Sequence, residues 1–274
     1  EKYMAHLATR GYKGANVTYG DWLSYEDNSI PVRELIASAY YAYDVTLMAE
    51  MCDATGRGSR AQHYRNLYKN IKKYFRDTFV EKGDLKASFR TQTCYLMALK
   101  TEMFEGEEER FKMLYSLCNS IVAKGNKLAT GFVGTADINE ILTDYGKSNL
   151  AYTLILQREN PSWLCSVDQG ATTVWERWNS YTVENGFYEP SMNSYNHYSY
   201  GAVAEWMYSD MLGINADENA PGFRNVIFRF NPDMRQNRET PSNEKLMTYA
   251  SGEYEGVYGK IKSSWKNTGN GFKY

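Results

Sequence analysis

Apolar residues recurring three and four apart constrain the fold of this chain more than any other feature. From Ile30 onward they fall at Leu35, Ile36, Ala39, Tyr43, Leu47 and Met51, the period of one face of an α-helix. Ser29 before Pro31, with Glu34 close behind, marks a helix start, and Gly56 and Gly58 mark a stop. The same reading predicts helices over 60–79 (ended by Gly83), 91–104, 107–123, 137–142, 145–158 (closed by Pro161) and 198–212 (closed by Gly213). Asp144 reads as a helix cap. Helices joined by short links are the signature of a bundle, a solenoid or an α/α toroid. No repeat of fixed period is present, which argues against tetratricopeptide and ankyrin arrays.

The stretch 163–196 breaks this rhythm. It exceeds the roughly 12–15 residues beyond which an irregular loop in a compact domain is usually functional, and it is too aromatic to be disordered. After Gly213 the pattern changes again: 226–230 alternates, 253–258 is aromatic and 259–265 alternates cleanly, as strands do. A mainly helical domain over 1–215 and the start of a β domain over 216–274 are therefore expected.

Composition narrows the chemistry. The 31 basic and 33 acidic residues, with net charge −2, are spread along the chain, so neither nucleic acid nor a membrane surface is an expected partner. Apolar runs fall short of the roughly 20 residues of a spanning helix. Cys52, Cys94, Cys118 and Cys165 form no Cys-x-x-Cys pair, and three His cannot complete a site, so neither a metal nor another cofactor is expected. The 24 Tyr, 11 Phe and 6 Trp serve mostly as core, and some of these rings offer flat faces for a sugar. The chain begins without Met and ends within a β pattern, which suggests a piece of something larger.

Three segments carry candidate chemistry. Thr172-Thr-Val-Trp-Glu-Arg-Trp-Asn179 sets Glu176 between Trp175 and Trp178 and beside Arg177. Apolar rings favour a neutral carboxyl and a cation favours a charged one, so this arrangement can tune a base; equally, the tryptophans can be core and Glu176 can pair with a surface Arg. Asn193-Ser-Tyr-Asn-His-Tyr-Ser-Tyr-Gly201 gathers amides, hydroxyls and His197, either to bind sugar hydroxyls or to cap a helix through Asn196. Tyr19-Gly-Asp-Trp-Leu23 offers Asp21 as an acceptor and Trp22 as a platform, or simply a turn before a helix. Asp168 is a hydroxyl ligand or a turn residue.

Together these segments resemble the bacterial α-L-rhamnosidases of glycoside hydrolase family 78. The resemblance rests on Gly20-Asp-Trp-Leu23, Thr130-Gly-Phe-Val-Gly-Thr135, Pro161-Ser-Trp163, Gly170-Ala-Thr-Thr-Val-Trp-Glu-Arg-Trp178 and 193–206, in that order. It implies an (α/α)₆ toroid of six-hairpin type, of which this chain is the C-terminal half, followed by a short β segment. It further implies removal of terminal α-L-rhamnose with inversion, from a rhamnose-containing glycan or glycoside. Glu176 takes the general-base position, His197 and Trp22 match pocket-lining residues, and Asp21, Trp175 and Trp178 lie close to them in sequence. The family's general acid belongs to an Arg-Asp-Glu-Arg segment that residues 1–274 do not contain, so the acid is expected upstream and this piece alone is expected to be inactive. The resemblance also suggests an extracytoplasmic enzyme, and half a toroid would expose apolar helix faces through which copies could associate. A non-catalytic carbohydrate-binding domain, or another α/α-barrel hydrolase or lyase, is the alternative.

Overall fold

The structure, a computed structural model, describes residues 19–236 and 245–274. The described residues fall into two compact units, one of residues 19–125 with 129–134 and the other of residues 126–128 with 135–236 and 245–274.

In the first unit, helix α1 (Ile30–Ala54) packs on α2 (Gly58–Phe79). The buried face of α1 takes in Leu35, Ile36 and Ala39 of the expected line, then continues through Ala42, Val45, Ala49 and Cys52 instead of Tyr43, Leu47 and Met51. Met51 is 58% exposed. Small residues at Ala39, Ala42 and Ala49 let the packed helix approach closely beside the larger Leu35 and Val45 on the same face. Ser29 stands at the N-cap, but its hydroxyl bonds Asp27 at 3.0 Å and caps no helical N–H. Gly56 takes the left-handed conformation just past the helix end (φ 70°), whereas Gly58, expected to help stop α1, begins α2.

Gly83 does more than end α2. With Lys82 it forms a turn in which both residues have positive φ (51° and 74°), and this turn joins β1 (Val80–Glu81) to β2 (Asp84–Leu85) as an antiparallel hairpin. Helix α3 (Gln92–Lys100) is buried from Gln92 through Leu99, and the Thr91 hydroxyl caps it by accepting from Cys94 N. It ends earlier than expected because Glu102 turns left-handed (φ 54°) and Met103 N–H reaches back to Ala98 O at 2.9 Å, a Schellman closure. Helix α4 (Gly106–Ala123) buries Met113, Leu114, Leu117 and Ile121. Its Glu109 pairs with Arg76 of α2 at 2.6 Å.

Helix α5 runs Phe132–Asp144, five residues longer at its start than expected, and Asp144 closes it instead of opening the next helix. Gly146 (φ 72°) separates it from α6 (Ser148–Leu156). Within the second unit, the long expected loop contains a short helix α7 (Trp163–Asp168), whose first turn is capped by the Ser162 hydroxyl. It also contains a small hairpin of β3 (Tyr181–Thr182) and β4 (Gly186–Phe187). The expected helix over 198–212 is a composite: 3₁₀ over Ser199–Val203, one α turn (α8, Ala204–Trp206) and a π turn over Met207–Met211. Strands lie within the stretches 226–230, 253–258 and 259–265 where they are expected, as β6 (Val226–Phe228), β7 (Tyr249–Gly256, which begins earlier) and β8 (Gly259–Asn267), and two more, β5 (Ile214–Ala216) paired with β6 and β9 (Phe272–Lys273) paired with β8, were not expected. Trp265 on β8 is 2% exposed and donates to Met211 O at 2.7 Å. A fully buried ion pair, Asp233–Arg235 at 2.8 Å, is completed by Thr153 of α6 and Met247 N, so both charges keep hydrogen-bond partners. Among the described residues no helix is long and apolar enough to cross a membrane.

Candidate active site

The first unit holds Asp21 and Trp22. Asp21 is 2% exposed and its carboxylate meets four donors. Oδ2 accepts from Gly131 N at 2.6 Å and from the Thr93 hydroxyl, and Oδ1 accepts from Val133 N at 2.8 Å and Gly134 N at 3.2 Å. Gly131 to Gly134 enter α5, whose first N–H groups have no partner within the helix. A carboxylate delivered from the far side of the sequence therefore caps this helix, which explains why α5 begins at Phe132. Burial pushes the Asp21 carboxyl above its ordinary range, against the hydrogen bonds from Thr93, Gly131, Gly134 and Val133, which favour the charged form. Expected as an acceptor for substrate hydroxyls, Asp21 has instead all its oxygens engaged by its own fold. Trp22 is half-buried, its carbonyl accepts from Phe132 N at 3.0 Å, and its ring meets Tyr19 edge-on at 5.4 Å. A Cβ at Gly131 would sit 2.0 Å from the Trp22 carbonyl, so glycine is required there. Two of the segments read from the sequence, Gly20–Leu23 and Thr130–Thr135, are thus one construction joined by Asp21.

The second unit brings Trp175, Glu176, Trp178 and His197 together. The segment 174–176 runs beside 194–197: Glu176 N donates to Ser194 O at 2.9 Å and His197 N to Val174 O at 2.8 Å. Glu176 is half-buried, and its Oε2 accepts from Ser194 N at 2.8 Å. Among the described residues Oε1 has no such partner. The neighbouring Arg177 does not pair with Glu176. Its Nε donates to Met192 O at 2.8 Å and its guanidinium lies 4.8 Å over the Tyr188 ring.

The two tryptophans read from the sequence either as substrate-binding rings or as core, and their burial suits the second. Trp178 is 3% exposed, stacks on Tyr200 at 3.9 Å and meets Trp163 edge-on. Trp175, 9% exposed, packs edge-on against Tyr195 and Tyr181. Both rings build the floor of the loop. His197 is half-buried, its Nδ1 accepts from Ser199 N at 3.3 Å and its ring lies parallel to Tyr198. An accepting Nδ1 places the proton of the neutral ring on Nε2, which is then a donor. Asn196 caps no helix; its N–H bonds the Ser194 hydroxyl. Asp168 is held by Arg158 through both carboxylate oxygens at 2.5 and 2.8 Å.

Sequence reasoning missed Ser194, because the donor is its main chain, which any residue but proline supplies. Only the polar density of 193–201 marked the region. No group of three or more His, Cys, Asp or Glu among the described residues is placed to hold a metal ion.

A family model described as the bacterial α-L-rhamnosidase six-hairpin glycosidase domain matches residues 1–211, and one for the bacterial α-L-rhamnosidase C-terminal domain matches 213–274. An α-L-rhamnosidase of Formosa agariphila is 34% identical over 97% of this chain and 28% of its own length, and one of Streptomyces avermitilis is 36% identical over 93% and 23%. The chain spans about a quarter of the length of the curated relatives it matches. The crystal structure of the Streptomyces avermitilis enzyme complexed with L-rhamnose superposes with TM-score 0.86 at 34% identity, over 98% of this chain and 25% of that one. Native α-L-rhamnosidase of Aspergillus terreus superposes with TM-score 0.79 at 26% identity, over 91% and 28%. A mainly helical chain with β strands at its C-terminal end, matched over most of its length by that first model, belongs to the bacterial α-L-rhamnosidase six-hairpin glycosidase family.

Proposed function

We propose that this chain supplies the base side of an α-L-rhamnosidase active site, in which Glu176 activates the water that displaces a terminal α-L-rhamnose with inversion. The observation that carries the reading is the Glu176 carboxylate itself. One oxygen is fixed by Ser194 N–H and the other is left without a partner among the described residues, in a half-buried position. A general base needs a fixed direction and an open oxygen. The family relationship and the rhamnose complex of the Streptomyces relative support the choice of sugar.

Inversion requires a second carboxyl roughly 6.5–9.5 Å from the base, to protonate the leaving oxygen. That acid is proposed to lie outside the 274 residues, which lack the Arg-Asp-Glu-Arg segment. His197, with Nε2 as donor, is proposed to bond a rhamnose hydroxyl, and Trp22 to present its ring to the sugar. Asp21 fixes the turn that carries Trp22, and Trp175 and Trp178 pack within the loop that carries Glu176 and His197. Residues 1–215 are proposed as catalytic domain and 216–274 as the beginning of a β domain. Apolar helix faces left exposed by half a toroid are proposed to let copies associate, and a clean monomer in sedimentation equilibrium would remove this part of the proposal.

The test is hydrolysis of p-nitrophenyl α-L-rhamnoside by the full-length protein and its Glu176→Gln variant, with the first-formed anomer read by NMR. Inverted product and a collapse of rate in the variant are expected. Binding of L-rhamnose without turnover would favour the non-catalytic alternative, and retention of configuration would reject the base role.

A further inference from the structure

Glu176 is aimed by a main-chain N–H, so whatever fixes the peptide between residues 193 and 194 also fixes the carboxylate. We infer that Asn193 is a positioning residue for Glu176; the inference rests on the base reading above and adds a second residue to it. The Asn193 side chain is half-buried and sits at the centre of the loop. Its Nδ2 donates to Ser180 O at 3.0 Å and to the Tyr195 hydroxyl at 2.9 Å, with a longer approach to Tyr188 O at 3.4 Å. The Tyr195 hydroxyl in turn donates to the same Ser180 carbonyl at 2.7 Å. A triangle of amide, phenol and carbonyl therefore fastens 193–195 to the Ser180 turn, four residues beyond Glu176.

The two ends of this arrangement are tied as well. Arg177 Nε holds Met192 O at 2.8 Å immediately before Asn193, and Glu176 N holds Ser194 O immediately after it. The Ser194 N–H, pinned from both sides, points at Glu176 Oε2. Among the described residues the Asn193 side chain bonds Ser180 O, Tyr188 O and the Tyr195 hydroxyl, and no hydrogen bond joins it to Glu176. It acts through the direction of one peptide, and a misplacement of the order of 1 Å in a reacting group is enough to cost about 100-fold in rate.

The side chain's other end makes the assignment testable with little change of shape. Among the described residues Asn193 Oδ1 is buried without a hydrogen-bond partner. Substitution by Asp keeps the volume and replaces only the donor, setting an oxygen against the Ser180 carbonyl. Asn193→Ala and Asn193→Asp would be measured on p-nitrophenyl α-L-rhamnoside in the full-length protein, each alone and combined with Glu176→Gln. Both are expected to lower kcat by about 10- to 100-fold with KM changed by less than about threefold. Against the Glu176→Gln background, either should lower the residual rate by less than about threefold, because the group they position is already gone. An equal loss in both backgrounds, or a KM that rises as far as kcat falls, would mean a general packing role and overturn the inference. So would an unchanged kcat in Asn193→Ala. Full activity in Glu176→Gln alone would instead remove the base reading and Asn193's role with it. If the Ala variant fails to fold by circular dichroism, the isosteric Asp variant decides.

Discussion

Asp21 accepts hydrogen bonds from three backbone N–H groups and one threonine hydroxyl and is 2% exposed, whereas Glu176 accepts from one backbone N–H and is half-buried. Both stood out in the sequence as carboxylates beside tryptophan, and nothing local told them apart. Their surroundings do. A carboxylate with every lone-pair direction filled by the fold stabilises that fold and has nothing left for a ligand. One fixed at a single oxygen keeps both a direction and a vacant acceptor.

The comparison can be broken first at Glu176. Glu176→Gln is expected to lower kcat by at least about 1,000-fold, within the range of general acid–base contributions, with the thermal midpoint within about 2 °C of wild type because the side chain is half-exposed. A large drop in midpoint would make it a second structural carboxylate. The converse experiment is Asp21→Asn, which turns an NH₂ group toward backbone donors. A stability loss of roughly 2–4 kcal/mol in urea unfolding is expected, and an unchanged stability together with lost rhamnoside affinity would restore Asp21 as a ligand. Gly131→Ala attacks the same construction from the opposite side, since the new Cβ would lie 2.0 Å from the Trp22 carbonyl and 2.7 Å from Ser24 N. Overpacking of this kind costs about 1–3 kcal/mol, which the same urea measurement would read.

Acid sharpens the contrast. The folded-state pKa of Asp21 lies above its unfolded value of 3.8, with burial as the largest cause. The protonated form is then favoured by folding, so Asp21's contribution is fullest below the unfolded value and declines as pH rises through the folded one. Wild type should therefore gain stability relative to Asp21→Asn as pH falls toward that window, and a difference independent of pH would contradict the assignment. The smallest effect belongs to a third carboxylate. Asp168 and Arg158 are close to half-exposed (side chains 46% and 47%), and exposed pairs contribute about 0–1 kcal/mol, so Asp168→Asn should change stability by less than about 1 kcal/mol and kcat by less than about twofold.

The parts of the fold legible in the sequence are those decided by a residue and its near neighbours. Gly56 and Gly213 end helices because each occupies a left-handed position (φ 70° and 72°), and the alternation over 259–265 became β8. Where a distant partner decides, local reading slipped. Helix α5 starts before its periodic residues because Asp21 caps it, and the buried face of α1 turns after Ala39 through Ala42, Val45 and Ala49, a choice made by the helix it meets. At the site, the clustering of Glu176 with His197 was foreshadowed by two polar segments. For Trp175 and Trp178 the sequence left core and sugar platform open, because a tryptophan's partners (Tyr195, Tyr181, Tyr200) determine whether it faces solvent.

The bond from Gly131 to Asp21 spans 110 residues, and it has a meaning for the order in which the chain is made. At translation rates of about 5–20 residues per second, Asp21 waits roughly 5 to 20 s before Gly131 is synthesised. During that interval α1, α2 and the β1–β2 hairpin can form from nearby sequence, while the entry turn has none of its α5 partners. Residues 131–134 are made 110 positions after the carboxylate that caps their helix, so the nascent chain can close this loop only once they have arrived.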